Sequence, residues 1–256
     1  MRGKSTSHNG GRRANGSGMR SSTTRGGTRA ASGRTNGRDR SSSQRHGRAS
    51  ASRQEGTGAM NQEQVTDLIY QALETELGGV EVYATALECV QNDDLKEEFE
   101  KYHEETKHHV ELMRGVCETL ALDPDEETPA RLIVRHKGQA LVESMKQALK
   151  SGNPEAAEIV AVEAVVDAET KDHANWQLIG EIVKKGNGET AKALKKAYDE
   201  VEDQEDEHLY HSKGWARELW IQALGMKPVL PPPEEKKDVH SAIAASRAKQ
   251  QRERMM

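Results

Sequence analysis

Glu105-Thr106-Lys107-His108 and Glu205-Asp206-Glu207-His208 repeat one pattern, a glutamate followed three residues later by a histidine. Each stands in a segment of helical periodicity. Each is preceded, one helix earlier, by a carboxylate set inside an apolar stripe: Glu76 before the first motif and Glu169 before the second. A helix turns about 100° per residue, so positions three and four apart share a face. On that count Glu76 lies among Val65, Ile69, Leu73, Val80, Tyr83 and Leu87, and Glu169 among Val162, Val165, Val166, His173 and Trp176. Glu205 falls with Leu194, Tyr198, Val201, His208 and Leu209, and Glu105 with Tyr102, His109, Leu112 and Val116. Four unpaired carboxylates in one core would cost far more than a domain can absorb. Two divalent cations held by Glu76, Glu105, His108, Glu169, Glu205 and His208 remove that objection.

The flanking residues divide the chain of 256 sharply. Residues 1–60 carry 13 Lys+Arg against Asp39 and Glu55, a balance of +11, and the remaining 196 residues carry −16, which together give the formal −5. The basic segment is Gly, Ser, Thr, Arg and Asn with almost no large apolar residue, so it reads as a disordered tail. It lacks the apolar stretch of a secretory signal. It is Arg/Ser-rich and acid-poor like an organelle transit peptide, but shows no amphipathic period. Because Met60 stands just before the helical pattern, residues 1–59 read either as a true tail or as translated upstream sequence. As a tail they are expected to add weak, salt-sensitive affinity for polyanions such as nucleic acid.

Residues 61–224 read as helices at 62–91, 94–121, 130–150, 154–185 and 188–224. Asn92-Asp93-Asp94, Asp123-Pro124, Thr128-Pro129, Ser151-Gly152-Asn153-Pro154 and Gly186-Asn187-Gly188 supply the breaks. Short links join the first helix to the second and the fourth to the fifth, while a long link between the second and fourth carries an extra helix. This is the connectivity of an all-α four-helix bundle with one long crossover. The spacings Glu76 to Tyr83 and Glu169 to Trp176 are equal, so the domain reads as two helical hairpins related by a pseudo-two-fold axis. Residues 225–256 open with Lys227-Pro228-Val229-Leu230-Pro231-Pro232-Pro233, a stiff spacer, and read as a second disordered tail with a frayed or docking helix near Val239 to Arg252. No apolar run reaches the about 18 residues that span a bilayer. Cys89 and Cys117 form no Cys-x-x-Cys pair and fit a reducing, cytoplasmic setting.

The stretch Ala72-Leu73-Glu74-Thr75-Glu76-Leu77-Gly78-Gly79-Val80-Glu81-Val82-Tyr83, with Glu105-x-x-His108, Glu169 and Glu205-x-x-His208, resembles the ferritin-like superfamily, in particular its rubrerythrin and bacterioferritin branch. The resemblance covers residues 61–224. It implies two iron ions, or manganese, bridged by Glu105 and Glu205, with Glu76 and Glu169 as terminal carboxylates and His108 and His208 as one imidazole per metal. Carboxylate and imidazole donors suit these metals. Tyr83 and Trp176, two turns from a ligand, are placed for hydrogen bonding or radical quenching near the reacting centre, or for core packing. The resemblance further implies Fe(II) oxidation by O2 or peroxide, or peroxide reduction, and a homo-oligomer, a dimer or larger. Thr106 stands where haem-bearing relatives carry methionine, and two cysteines cannot form a rubredoxin site, so electrons would come from a separate donor. A manganese catalase, and a metal-storage or nucleic-acid-binding protein without turnover, are the alternatives. His173 reads as a partner to the ligands or a seventh ligand. His109 and His211 read as surface or outer residues, and the run Glu200 to Glu207 as a solvated face.

Overall fold

The computed structural model describes residues 60–237 and 239–256. The basic segment expected as a disordered tail lies outside the described residues, apart from Met60 at its end. Every regular element among the described residues is a helix: α1 (Gln62–Cys89), α2 (Asp93–Thr119), α3 (Pro129–Lys150), α4 (Pro154–Lys185), α5 (Glu189–Ala223), a single 3-10 turn (Glu235–Lys237) and α6 (Ala242–Met255).

The helix ends follow local chemistry. Asn61, Asn92, Thr128 and Asn153 accept hydrogen bonds from the first-turn amides of α1, α2, α3 and α4, which satisfies donors that have no partner within the helix. Pro129 and Pro154 occupy first-turn positions, where a missing N–H costs nothing. Glu158 joins the two hairpins: its Oε1 accepts from the backbone N–H groups of Gln91 and Asn92, at 2.8 and 2.7 Å, in the turn after α1.

α1 packs against α2 and α4, and α5 packs against α4 and α2, so these four helices form a closed ring of neighbours, with α3 laid across α1 and α4. Arg131 and Arg135 of α3 clamp the buried Glu74 of α1, each with a guanidinium Nε at 2.6 Å. Two apolar clusters fill the ring. One gathers Tyr83, Leu95, Phe99, Tyr102, Val162, Val165 and Trp215. The other gathers Ile69, Leu73, Met113, Trp176, Ile179, Leu194 and Val201. The acidic residues of the repeated pattern lie between them.

The C-terminal segment departs from expectation. It was expected to be disordered, yet it is folded back on α5. Glu218 is fully buried and accepts from the Val229 backbone N–H at 2.8 Å and from Arg252 Nε at 2.7 Å, while Arg217 holds Glu234 through both terminal nitrogens at 2.5 and 2.8 Å. Val239 and Ala248 of this segment are buried. Gly214 permits the approach, since a Cβ there would stand 2.9 Å from both Glu234 Oε2 and Pro232 Cβ. The polar composition of the segment concealed these contacts, because what orders it is a set of ion pairs to a buried carboxylate. Glu218→Ala would take away the acceptor of the Arg217 Nε, the Arg252 Nε and the Val229 backbone N–H. It should destabilise the protein by about 3 kcal/mol in denaturant unfolding and expose residues 227–256 to protease.

Candidate metal centre

Four helices each bring a buried acid or imidazole to the middle of the ring. α1 contributes Glu76, α2 His109, α4 Glu169 and Asp172, and α5 Glu205 and His208, and none of these is more than 5% exposed. Two groups have the geometry to hold a metal ion: Glu76, His109 and Glu205, and Glu169, Glu205 and His208. Glu205 belongs to both. Its Oε1 lies 3.1 Å from His109 Nδ1 and 3.7 Å from His208 Nδ1. Glu76 Oε2 is 3.5 Å from His109 Nδ1, and Glu169 Oε2 is 3.8 Å from His208 Nδ1. The two imidazoles lie nearly parallel, 5.8 Å apart at 24°.

The outer faces of these ligands are pinned. Trp176 Nε1 donates to Glu76 Oε1 at 2.8 Å, and Tyr83 Oη donates to Glu169 Oε1 at 2.7 Å, so each aromatic residue orients the carboxylate of the other hairpin. Glu105 Oε2 sits 2.9 Å from His208 Nε2, and Gln204 Oε1 sits 2.7 Å from His109 Nε2. An acceptor on the outer nitrogen puts the ring proton there and leaves Nδ1 with a free lone pair facing the cluster, as metal-binding imidazoles require. The inner atoms are unsatisfied: Glu76 Oε2, His109 Nδ1, Glu169 Oε2, Asp172 Oδ1, Glu205 Oε2 and His208 Nδ1 are all buried without a hydrogen-bond partner. Orphaned buried polar atoms are rare. Six of them in one place, all of ligand type, fit one or two divalent cations.

The electrostatics agree. Burial, then the charges of Glu205 and Glu76, push the Glu169 carboxyl well above its ordinary range. Burial and the surrounding carboxylates do the same to Asp172, and burial raises Glu76. Burial alone would lower His109, but the Glu76 charge and contacts with Glu205 raise it well above its ordinary value.

The sequence-predicted residues divide. Glu76, Glu169, Glu205 and His208 come together. Glu105 lies at the rim, with its side chain 20% exposed, and touches the cluster through His208. His108 stands apart on the surface: its side chain is 54% exposed and its Nε2 lies 3.4 Å from Glu200 on α5. The α2 imidazole within the cluster is His109, which had been read as a surface or outer residue. The reason is helical phase. The buried stripe of α2 runs Leu95, Phe99, Tyr102, Thr106, His109, Met113, Val116, and His108 is about 100° away from it. That stripe, traced through Phe99, Thr106 and Met113, was the available signal. His211 is also buried. Its Nδ1 lies 2.8 Å from Glu98 Oε1, and Glu98 further accepts from Trp215 Nε1 at 2.6 Å and from the Tyr102 hydroxyl. The Tyr102 ring in turn packs on His208, with centroids 4.1 Å apart. His173 pairs with Asp206 at 2.6 Å.

No family model, no curated protein and no solved structure matches the chain. The structure itself is helical, with buried Glu and His groups that could hold a metal ion, and is compatible with a ferritin-like fold.

His109→Ala should remove about half of the bound metal, and His108→Ala should leave metal content unchanged, as measured by elemental analysis of protein purified under metal-replete conditions. Stability should respond to pH in opposite senses with and without metal. The raised carboxyl values mean that the metal-free protein is favoured while those groups keep their protons and loses stability as pH rises through them. Metal binding needs the deprotonated ligands. The rise in Tm produced by metal should therefore grow as pH rises above the ordinary carboxylate range, and a rise that shrinks instead would contradict the assignment.

Proposed function

We propose that this chain is a ferritin-like four-helix bundle holding two iron ions, or manganese, and that it oxidises Fe(II) with O2 or peroxide, or reduces peroxide. The observation that carries the reading is the position of Glu205. One carboxylate oxygen stands between two inward-facing imidazole nitrogens, each of which has a second carboxylate beside it. A shared carboxylate between two nitrogen donors is how a pair of metals is held a few ångström apart.

When bound, such a pair supplies two one-electron steps and Lewis acidity at adjacent positions. The residues of the chain supply the rest. Glu76, Glu169, Glu205, His109 and His208 bind. Trp176 and Tyr83 fix the rotamers of Glu76 and Glu169 through their hydrogen bonds. Glu105 and Gln204 keep the outer ring nitrogens protonated. The two apolar clusters on either side lower the local dielectric, which strengthens each electrostatic contact between ligand and cation. Hard oxygen donors outnumber imidazoles, which favours iron and manganese over softer metals and favours their higher oxidation states. Cys89 and Cys117 are both buried free thiols, so a separate electron donor is needed for repeated turnover.

Stopped-flow mixing of anaerobic Fe(II)-loaded protein with O2 or peroxide tests this reading. Oxidation should be faster than in a Glu205→Ala variant, which loses the shared ligand and should fall to the rate of iron in buffer. Tyr83→Phe and Trp176→Phe should each slow the reaction about tenfold, because each frees one carboxylate from its hydrogen bond. Equal rates in wild type and Glu205→Ala would favour storage or a structural role. Rapid dismutation of peroxide by the manganese form would favour a catalase.

A further inference from the structure

The C-terminal strap, residues 227–256, makes one contact that its ion pairs do not explain. The 3-10 turn Glu235–Lys237 sets Glu235 against α2 and α5, away from the buried metal ligands. There it lines a cavity of about 290 Å³ with Asp94, Glu97, Glu98 and Lys101 of α2 and Glu207 and His211 of α5. Five of these seven side chains are carboxylates. Lys101 pairs with Glu207 at 2.7 Å, and His211 Nδ1 lies 2.8 Å from Glu98 Oε1, so both basic groups are engaged away from Glu235. Beside Glu235 in the strap, Glu234 is held by Arg217, and Lys236 and Lys237 are exposed.

The carboxylate that Glu235 meets is Glu98, and Glu98 is already supplied with donors. It accepts from Trp215 Nε1 at 2.6 Å and from the Tyr102 hydroxyl, besides its contact with His211. Glu235 Oε2 is buried and has no donor among the described residues. Two carboxyl groups in hydrogen-bond contact cannot both stay charged, but they can share one proton. The hydrogen bonds decide which of them keeps the charge. Burial works against Glu98, yet the bonds from His211 and Tyr102 hold its carboxyl below the ordinary range. Burial, then the Glu98 charge, the hydrogen bond to Glu98 and the more distant Asp94, push the Glu235 carboxyl up to about 8.

We propose that Glu235 is a proton-operated latch: the strap lies docked on α2 and α5 while Glu98 and Glu235 share a proton, and it lifts when that proton is lost. The other anchors of the strap join carboxylates to guanidinium groups, Glu218 to Arg252 and Glu234 to Arg217, and keep their charges through neutral pH. Lifting the strap opens Glu98 and His211 to water. These two hold the Tyr102 hydroxyl, and the Tyr102 ring packs on His208 with centroids 4.1 Å apart. The latch itself needs no metal, so it stands apart from the two-metal reading.

A carboxyl raised on docking favours the docked state in acid. Below the ordinary carboxylate range both states carry the proton, and docking is strongest. From there up to about pH 8 the free strap has lost the proton and the docked strap keeps it, so docking weakens, by at most about tenfold per pH unit. Glu235 is half-buried, and solvent screening keeps the slope below that limit. Hydrogen–deuterium exchange of the full chain, read on peptides from residues 227–256 and corrected for the intrinsic rate at each pH, tests this. Protection of the wild-type strap should fall across that window. Glu235→Gln supplies a neutral donor to Glu98 and should keep the strap protected throughout, with peptides of α1 to α5 exchanging as in wild type. Glu235→Ala should dock more weakly but equally without slope, which keeps the test decisive if the glutamine fits poorly. Flat protection in wild type, or a slope that survives in both variants, would overturn the latch.

Discussion

Four carboxylates, Glu76, Glu169, Asp172 and Glu205, are buried in the helix ring with two imidazoles, His109 and His208. Everything near them is arranged as though that charge were to be met by cations. The outer oxygens are held by Trp176 and Tyr83, the outer ring nitrogens by Glu105 and Gln204, and the inner atoms by nothing. In a protein interior each such atom left without a partner costs about 1–3 kcal/mol, and more when charged. Six of them together are a large liability for the fold unless binding offsets it. Burial and the neighbouring carboxylates raise the Glu169 and Asp172 carboxyls well above their ordinary range, which favours their neutral forms.

The same constraint explains the symmetry and its failure. Two helical hairpins that each present an acid and an imidazole solve the problem twice, and the crossed bonds of Tyr83 and Trp176 lock one solution to the other. Where the first hairpin has Thr106 in place of a second acid, the other hairpin carries Asp172. The strap formed by residues 227–256 addresses a separate problem. Glu218 is a buried acid on α5 that is met by Arg252, Arg217 and a backbone amide, with no role for metal.

Much of the fold was legible from periodicity and turn chemistry. Asn61, Asn92, Thr128 and Asn153 mark helix starts in the sequence and cap helices in the structure. The site was legible where motif and phase coincide. On α5 the stripe Leu194, Val201, Glu205, His208, Trp215 contains the motif, so reading the letters gave the geometry. On α2 they part. Glu105-x-x-His108 repeats the letters, but the buried stripe passes through Thr106 and His109, one residue on, so the imidazole of the centre is the neighbour of the one the motif picks out. Glu105 still reaches His208 because its longer side chain spans the rim. Asp172 stands three residues after Glu169 and four before Trp176, so helical phase alone places it on their buried face. The docked C-terminal segment was hidden because ion pairs to a buried partner leave no apolar period.

The proposed function requires two metals that share Glu205 between His109 and His208. Anomalous diffraction from crystals grown with manganese, collected on either side of the manganese absorption edge, tests it most directly. Two peaks about 3.5–4 Å apart are expected, one against each imidazole Nδ1, with Glu205 in reach of both. A single peak at His108 and Glu200, or no peak within the buried cluster, would contradict it.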